Sequence, residues 1–137
     1  MNLKKFIDAQ EKTYEKALSE IQRGQKKSHW MWYIFPQVKG LGFSETSKFY
    51  AIEDLEEAAA FLKDPVLGKR LVQISQALLD LKDLSASQIF GSPDDMKLKS
   101  SMTLFSTIDN THPVFRQVLD KFFKGAMDEK TLSIIGK

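Results

Sequence analysis

The chain has 137 residues, 42% of them hydrophobic, with twenty basic and eighteen acidic side chains and no cysteine. That length fits one domain, and a chain of this size buries about two-thirds of its unfolded surface, so it can fold without a disulfide, metal or partner. Lack of cysteine excludes thiolate nucleophiles, disulfide scaffolds and Cys-based zinc or iron–sulfur sites, while a net charge of +2 is too small to argue for nucleic acid on electrostatics alone.

The charge is uneven. Residues 1–27 hold seven basic and four acidic side chains, ending in Arg23, Lys26 and Lys27, whereas 53–64 hold five acidic and one basic. Such blocks form solvated helix faces of opposite sign or, less commonly, binding surfaces. The opening Met1-Asn2-Leu3-Lys4-Lys5 imitates a signal peptide but fails as one, because only Phe6-Ile7 precede Asp8. The longest apolar run, Trp30 to Phe35, is far too short to span a membrane. The expected location is the cytoplasm.

Helical spacing dominates the pattern. Leu3, Phe6, Ile7, Gln10, Tyr14, Ala17, Leu18 and Ile21 predict a first helix stopped at Gly24. Residues 27–35 are too apolar to show a period; Pro36 ends them and Gly40-Leu41-Gly42 reads as a loop. Ser44 can cap a short helix to about Tyr50. Asp54 and Glu57 have capping-box spacing for a helix to about Lys63, and Asp64-Pro65 opens another to about Leu81. Ser85–Phe90 reads as one short turn closed by Gly91. Ser92-Pro93-Asp94-Asp95 opens a helix to about Thr107, and Thr111-His112-Pro113 opens one closed by Gly125. Asp128 caps a last helix ending at Gly136. No window alternates at period two, so the expectation is an all-α single domain over 1–137, about seven helices in a layered or orthogonal bundle.

Two segments can carry chemistry. Residues 28–37, Ser28-His29-Trp30-Met31-Trp32-Tyr33-Ile34-Phe35-Pro36-Gln37, hold both tryptophans and one of two histidines. If helical, they are apolar on every side and should run through the centre of the bundle. His29 is then either a buried, hydrogen-bonded histidine or a pocket residue, and Lys26, Lys27 and Ser28 beside it suit an anionic ligand with a flat ring. The second segment, 97–105, is uncharged from Ser100 onward, with Asp94, Lys97 and Ser101 on one column and Leu98, Met102 and Phe105 on the adjacent stripe. Its serines either permit close helix approach, with Lys97 paired to Asp94, or line a cleft where an ammonium and hydroxyls hold a phosphate or carboxylate. A nucleophilic serine would need a base, for which His29 is the attractive choice, since His112 precedes a proline at a helix start and reads as structural. No phosphate-binding glycine loop, nucleophile elbow or metalloprotease motif is present.

Residues 28–37 closely resemble the hallmark of domain-of-unknown-function family 1810. Phe6-Ile7-Asp8-Ala9-Gln10, Gly40-Leu41-Gly42, Tyr50-Ala51-Ile52, 65–71, Ile89-Phe90-Gly91 and Asp95 through Phe105 are similar to that family's pattern in the same order. The resemblance implies a mainly helical domain and supplies no reaction. Members sometimes carry the label calpastatin, an inhibitor that is disordered and repeat-bearing, which this globular composition does not suit. Tyr33 departs from the phenylalanine often found there; if buried, its phenol needs a hydrogen-bond partner.

The leading functional reading is a domain that binds, and in one version hydrolyses, a small anionic or phosphate-bearing metabolite. The candidate ligand-binding residues are Lys27, His29, Trp30, Trp32, Gln37, Lys97, Ser100 and Ser101, with no metal and no cofactor expected. In the hydrolytic version His29 is the acid or base, Lys97 stabilises negative charge and Gln37 orients substrate or water. The alternatives are a non-enzymatic helical interaction module with an aromatic core, and an RNA or single-strand binder using Lys26, Lys27 and the aromatics.

Overall fold

A computed structural model describes residues 2–137, and every regular element among them is a helix. In chain order these are α1 (Lys4–Gln22), α2 (Met31–Ile34), α3 (Glu45–Phe49), α4 (Leu55–Lys63), α5 (Leu67–Leu79), α6 (Ala86–Phe90), α7 (Asp94–Ser106), α8 (Val114–Phe123) and α9 (Glu129–Ile135). The count exceeds the expected seven because the aromatic segment and the 85–90 turn each close a short helix of their own. None of these helices is long and apolar enough to cross a membrane.

Most ends follow from local chemistry. Ser44 and Asp128 accept the amides of Ser47 and Thr131, and Asp64 Oδ1 accepts those of Val66 and Leu67. Ser85 and Gln88 form a complete capping box. At α4 the box is shifted: Asp54 accepts from Glu57 N–H, but the Glu57 carboxylate reaches the amide of Glu53 at 3.0 Å. Ser92 does not cap α7, whose start is closed by the Gly91 and Pro93 carbonyls accepting from Asp95 and Met96. Nor does α5 reach Leu81. It stops at Leu79, where the Lys121 ammonium donates to the carbonyls of Leu78, Leu79 and Leu81 and so finishes the negative end of the helix.

The packing order is α1 on α5, α5 on α8 and α8 on α7, with α4 against α5 and α7. Phe6, Phe61, Phe105 and Phe115 join α1, α4, α7 and α8 in a file of rings 5.2, 5.5 and 5.7 Å apart. A second cluster, Trp30, Phe35 and Phe90, binds the aromatic segment to α6. The amide of Lys39 donates to Ile52 and that of Ile52 to Gln37, each at 2.8 Å, which fixes the 37–39 segment beside the entry to α4.

Candidate functional site

The aromatic segment is one helical turn rather than a central helix. Its start is fixed by Glu20, on the buried side of α1 and 7% exposed. The Glu20 carboxylate accepts from the amides of Lys27 (2.8 Å) and Ser28 (3.0 Å), the Ser28 hydroxyl (2.6 Å) and Trp30 Nε1 (2.9 Å). Burial pushes this carboxyl up, but the Ser28 hydroxyl, the Lys27 amide, the Trp30 indole and the Ser28 amide hold it down at about 2. A continuous helix through 26–30 would use those amides internally and orphan the carboxylate, so the backbone stays non-helical until Met31.

Beyond the carboxylate lies a chain of charges. Lys26 Nζ lies 5.0 Å from the Trp30 ring centroid and 3.0 Å from Asp94 Oδ2, while the Lys26 amide donates to Ile89. Asp94 Oδ1 is 3.5 Å from Lys97 Nζ, which stands 5.7 Å from the centroid of Trp32. Asp94 therefore serves two lysines, one near the sealed Trp30 and one beside the half-exposed Trp32.

On the Trp32 side a groove of about 480 Å³ is lined by Trp32, Gln37, Gly42, Phe43, Ser47 and Lys48. A smaller hollow of about 250 Å³ shares Gln37 and Gly42 with it and continues to Met96, Lys97, Ser100 and Lys130. Gly42 is required at the junction, because a Cβ there would lie 2.5 Å from Ser47 Cβ. Phe43 is 80% exposed and Met96 49%, which puts two apolar groups on the rim, and Ile134, 42% exposed, lies beside Gly40 of the groove. Lys130 Nζ lies 5.9 Å from the Phe43 ring centroid. Asp128, the nearby acid, accepts from the amide and hydroxyl of Thr131. Among the described residues no ion pair engages Lys48 or Lys130.

Of the eight sequence candidates, Trp32, Gln37, Lys97 and Ser100 line this continuous depression. Trp30 is sealed against Glu20 and Phe90. Lys27 and His29 are exposed and line neither part of the groove, so His29 is neither the buried histidine nor a wall of this cavity. Ser101 is fully buried, and its hydroxyl has no hydrogen-bond partner. The Ser100 hydroxyl donates to the Met96 carbonyl and Thr103 to that of Lys99, so these side chains lie back on their own helix. No hydrogen bond among the described residues joins a serine to either histidine. His112 instead accepts the Val114 amide through Nδ1 and starts α8, the structural part read for it from the sequence. Tyr33 is half-buried, so its phenol is not forced to find an internal partner.

The model of the family described as "Protein of unknown function (DUF1810)" matches residues 1–135. The chain belongs to that family. A crystal structure of the conserved hypothetical protein Rv1873 from Mycobacterium tuberculosis is 39% identical and superimposes with a TM-score of 0.96, covering 98% of this chain and 96% of that one. No curated protein matches. Neither description assigns a reaction, so in this DUF1810 chain function has to be argued from the site.

Sequence reasoning missed Glu20, Phe43, Lys48 and Lys130. Glu20 carried a signal: it follows Ala17 by three positions and so falls on the apolar stripe of α1, just before a loop rich in donors. The other three sit on loops or short helices, where spacing says nothing about which side chains meet.

Proposed function

We propose that this domain binds a small anionic or phosphate-bearing molecule in the groove around Trp32, Gln37 and Lys97. The observation that carries the reading is the meeting of two segments far apart in sequence: Lys97 Nζ stands 5.7 Å from the Trp32 ring centroid, beside a cavity that Gln37 also lines. Lys48 and Lys130 add positive charge that no ion pair among the described residues engages, although Asp128 lines the same hollow as Lys130, and the pair of Lys97 with Asp94 is long enough to exchange for a ligand oxygen. The apolar wall of Trp32 and Phe43 suits a flat ring. Hydrolysis finds less support, because among the described residues the Ser100 hydroxyl bonds only the Met96 carbonyl and His29 lines neither part of the groove.

The test is titration of the intrinsic tryptophan emission with nucleotides, nucleotide sugars, ADP-ribose and sugar phosphates. A saturable change is expected that persists in Trp30→Phe, vanishes in Trp32→Phe and is lost in Lys97→Ala with Lys130→Ala, whose melting temperature stays near that of the parent. An emission that no anion moves would overturn the reading. The second reading is a protein-interaction face, favoured by the exposure of Phe43, Met96 and Ile134. It calls for association that Phe43→Ser with Ile134→Ser weakens and that free anions leave unchanged.

A further inference from the structure

A cleft of about 560 Å³ that shares no lining residue with the Trp32 groove lies between the end of α4, the start of α5 and the 108–112 connection. Its wall is stiff. A Cβ at Gly68 would lie 1.9 Å from the Leu62 carbonyl oxygen, so α4 and α5 meet there backbone to backbone. Ala59, Leu62, Val72 and Ile108 supply its apolar lining.

The polar lining is Lys63, Lys69, Asp109, Asn110 and His112. Among the described residues no ion pair engages Lys63, Lys69 or Asp109. His112 is fixed chemically as well as spatially. Its Nδ1 accepts the Val114 amide at 3.0 Å, so the neutral ring carries its proton on Nε2 and offers an N–H donor there. No hydrogen bond among the described residues uses that donor.

These charges select against simple ions. A bare anion finds two ammonium groups and the imidazole N–H, but also meets the Asp109 carboxylate. A bare cation finds Asp109 and meets two lysines. A molecule with an anionic and a cationic group on one carbon, and an apolar remainder, satisfies every part. We infer that this cleft binds a free α-amino acid with an apolar side chain. Its carboxylate accepts from Lys63, Lys69 and His112 Nε2–H, its ammonium donates to Asp109, and its side chain lies against Ala59, Leu62, Val72 and Ile108.

The probes are L-leucine, its des-amino analogue 4-methylpentanoate, its decarboxylated analogue 3-methylbutylamine, and inorganic phosphate. The readout is the ring nitrogen resonances of His112 in labelled protein, identified by their loss in His112→Asn, where the new amide oxygen can still accept the Val114 amide. Leucine is expected to move these resonances saturably and to bind about fivefold more tightly than either fragment, the scale of one exposed ion pair. Asp109→Asn should erase its advantage over 4-methylpentanoate, and Lys69→Ala, which leaves Lys63 and His112 in place, should reduce its advantage over the amine. Both positions are exposed, so these variants should keep the parental melting temperature. Unmoved His112 resonances, equal affinity for leucine and its fragments, or phosphate binding more tightly than leucine would each overturn the inference.

Discussion

Trp30 and Trp32 are two residues apart, yet they live in opposite environments. The Trp30 indole is buried, donates to Glu20 and lies under Lys26; the Trp32 indole is half-exposed, forms a groove wall and faces Lys97. The difference comes from the backbone at 30–31, where the bent loop held by Glu20 gives way to a single helical turn that points adjacent side chains apart. An aromatic-rich decapeptide can thus be anchor and wall at once, and density of rings alone does not say which residue does which.

The largest test of that contrast removes the anchor. Glu20→Ala leaves several donors facing an emptied, water-poor site and should cost about 3 kcal/mol, roughly a 10 °C fall in melting temperature. A loss below about 1 kcal/mol would mean that the carboxylate is not what seats the loop. Trp30→Phe keeps the ring but removes one donor and some volume, for which about 2 kcal/mol is expected in urea unfolding. Trp32→Phe should change little. The same pair separates the emissions: Trp30 alone should resist acrylamide, and Trp32 alone should be quenched.

Acid supplies a third test with a definite sign. The folded Glu20 carboxyl is held at about 2, below its ordinary value of 4.5, so its contribution is fully present above about pH 4.5 and is lost as pH falls toward 2. The urea midpoint of Glu20→Gln should show less of this acid-side decline than the parent. The smallest effect is expected at the groove: Lys97→Ala breaks a partly exposed 3.5 Å pair and should cost no more than about 0.5 kcal/mol. A large loss there would assign Lys97 to the anchor rather than the wall.

Helix identity was legible wherever one residue acts on its own backbone. Ser44 and Asp128 cap as their spacing predicts, Asp64 accepts the amides of Val66 and Leu67 although α5 begins only at Leu67, and Gly24 at φ +79° stops α1. Legibility ended where the deciding partner is distant. The sequence pattern of 28–35 gives no sign that the Glu20 carboxylate, seven to ten residues earlier, will claim the Lys27 and Ser28 amides and the Trp30 indole, so the expected buried helix shrank to one turn. Of the four candidates at the groove, Lys97 and Ser100 share one helix and Trp32 and Gln37 one decapeptide, so each pair is legible in the sequence, but the meeting of the two pairs is not. Ser101 follows the same helical column but turns out sealed, a distinction set by what packs over α7.

The ammonium of Lys121 on the carbonyls of Leu78, Leu79 and Leu81 has a consequence for the newborn chain. A protein emerging from its amino end contains all of α5 some forty residues before it contains the group that finishes it. Until α8 arrives, the Leu79 and Leu81 carbonyls have only solvent to donate to them, while that of Leu78 keeps the Leu81 amide. Any fragment truncated before residue 121 should fray at Leu78–Leu81 first, and amide exchange there would time the arrival of α8 during synthesis.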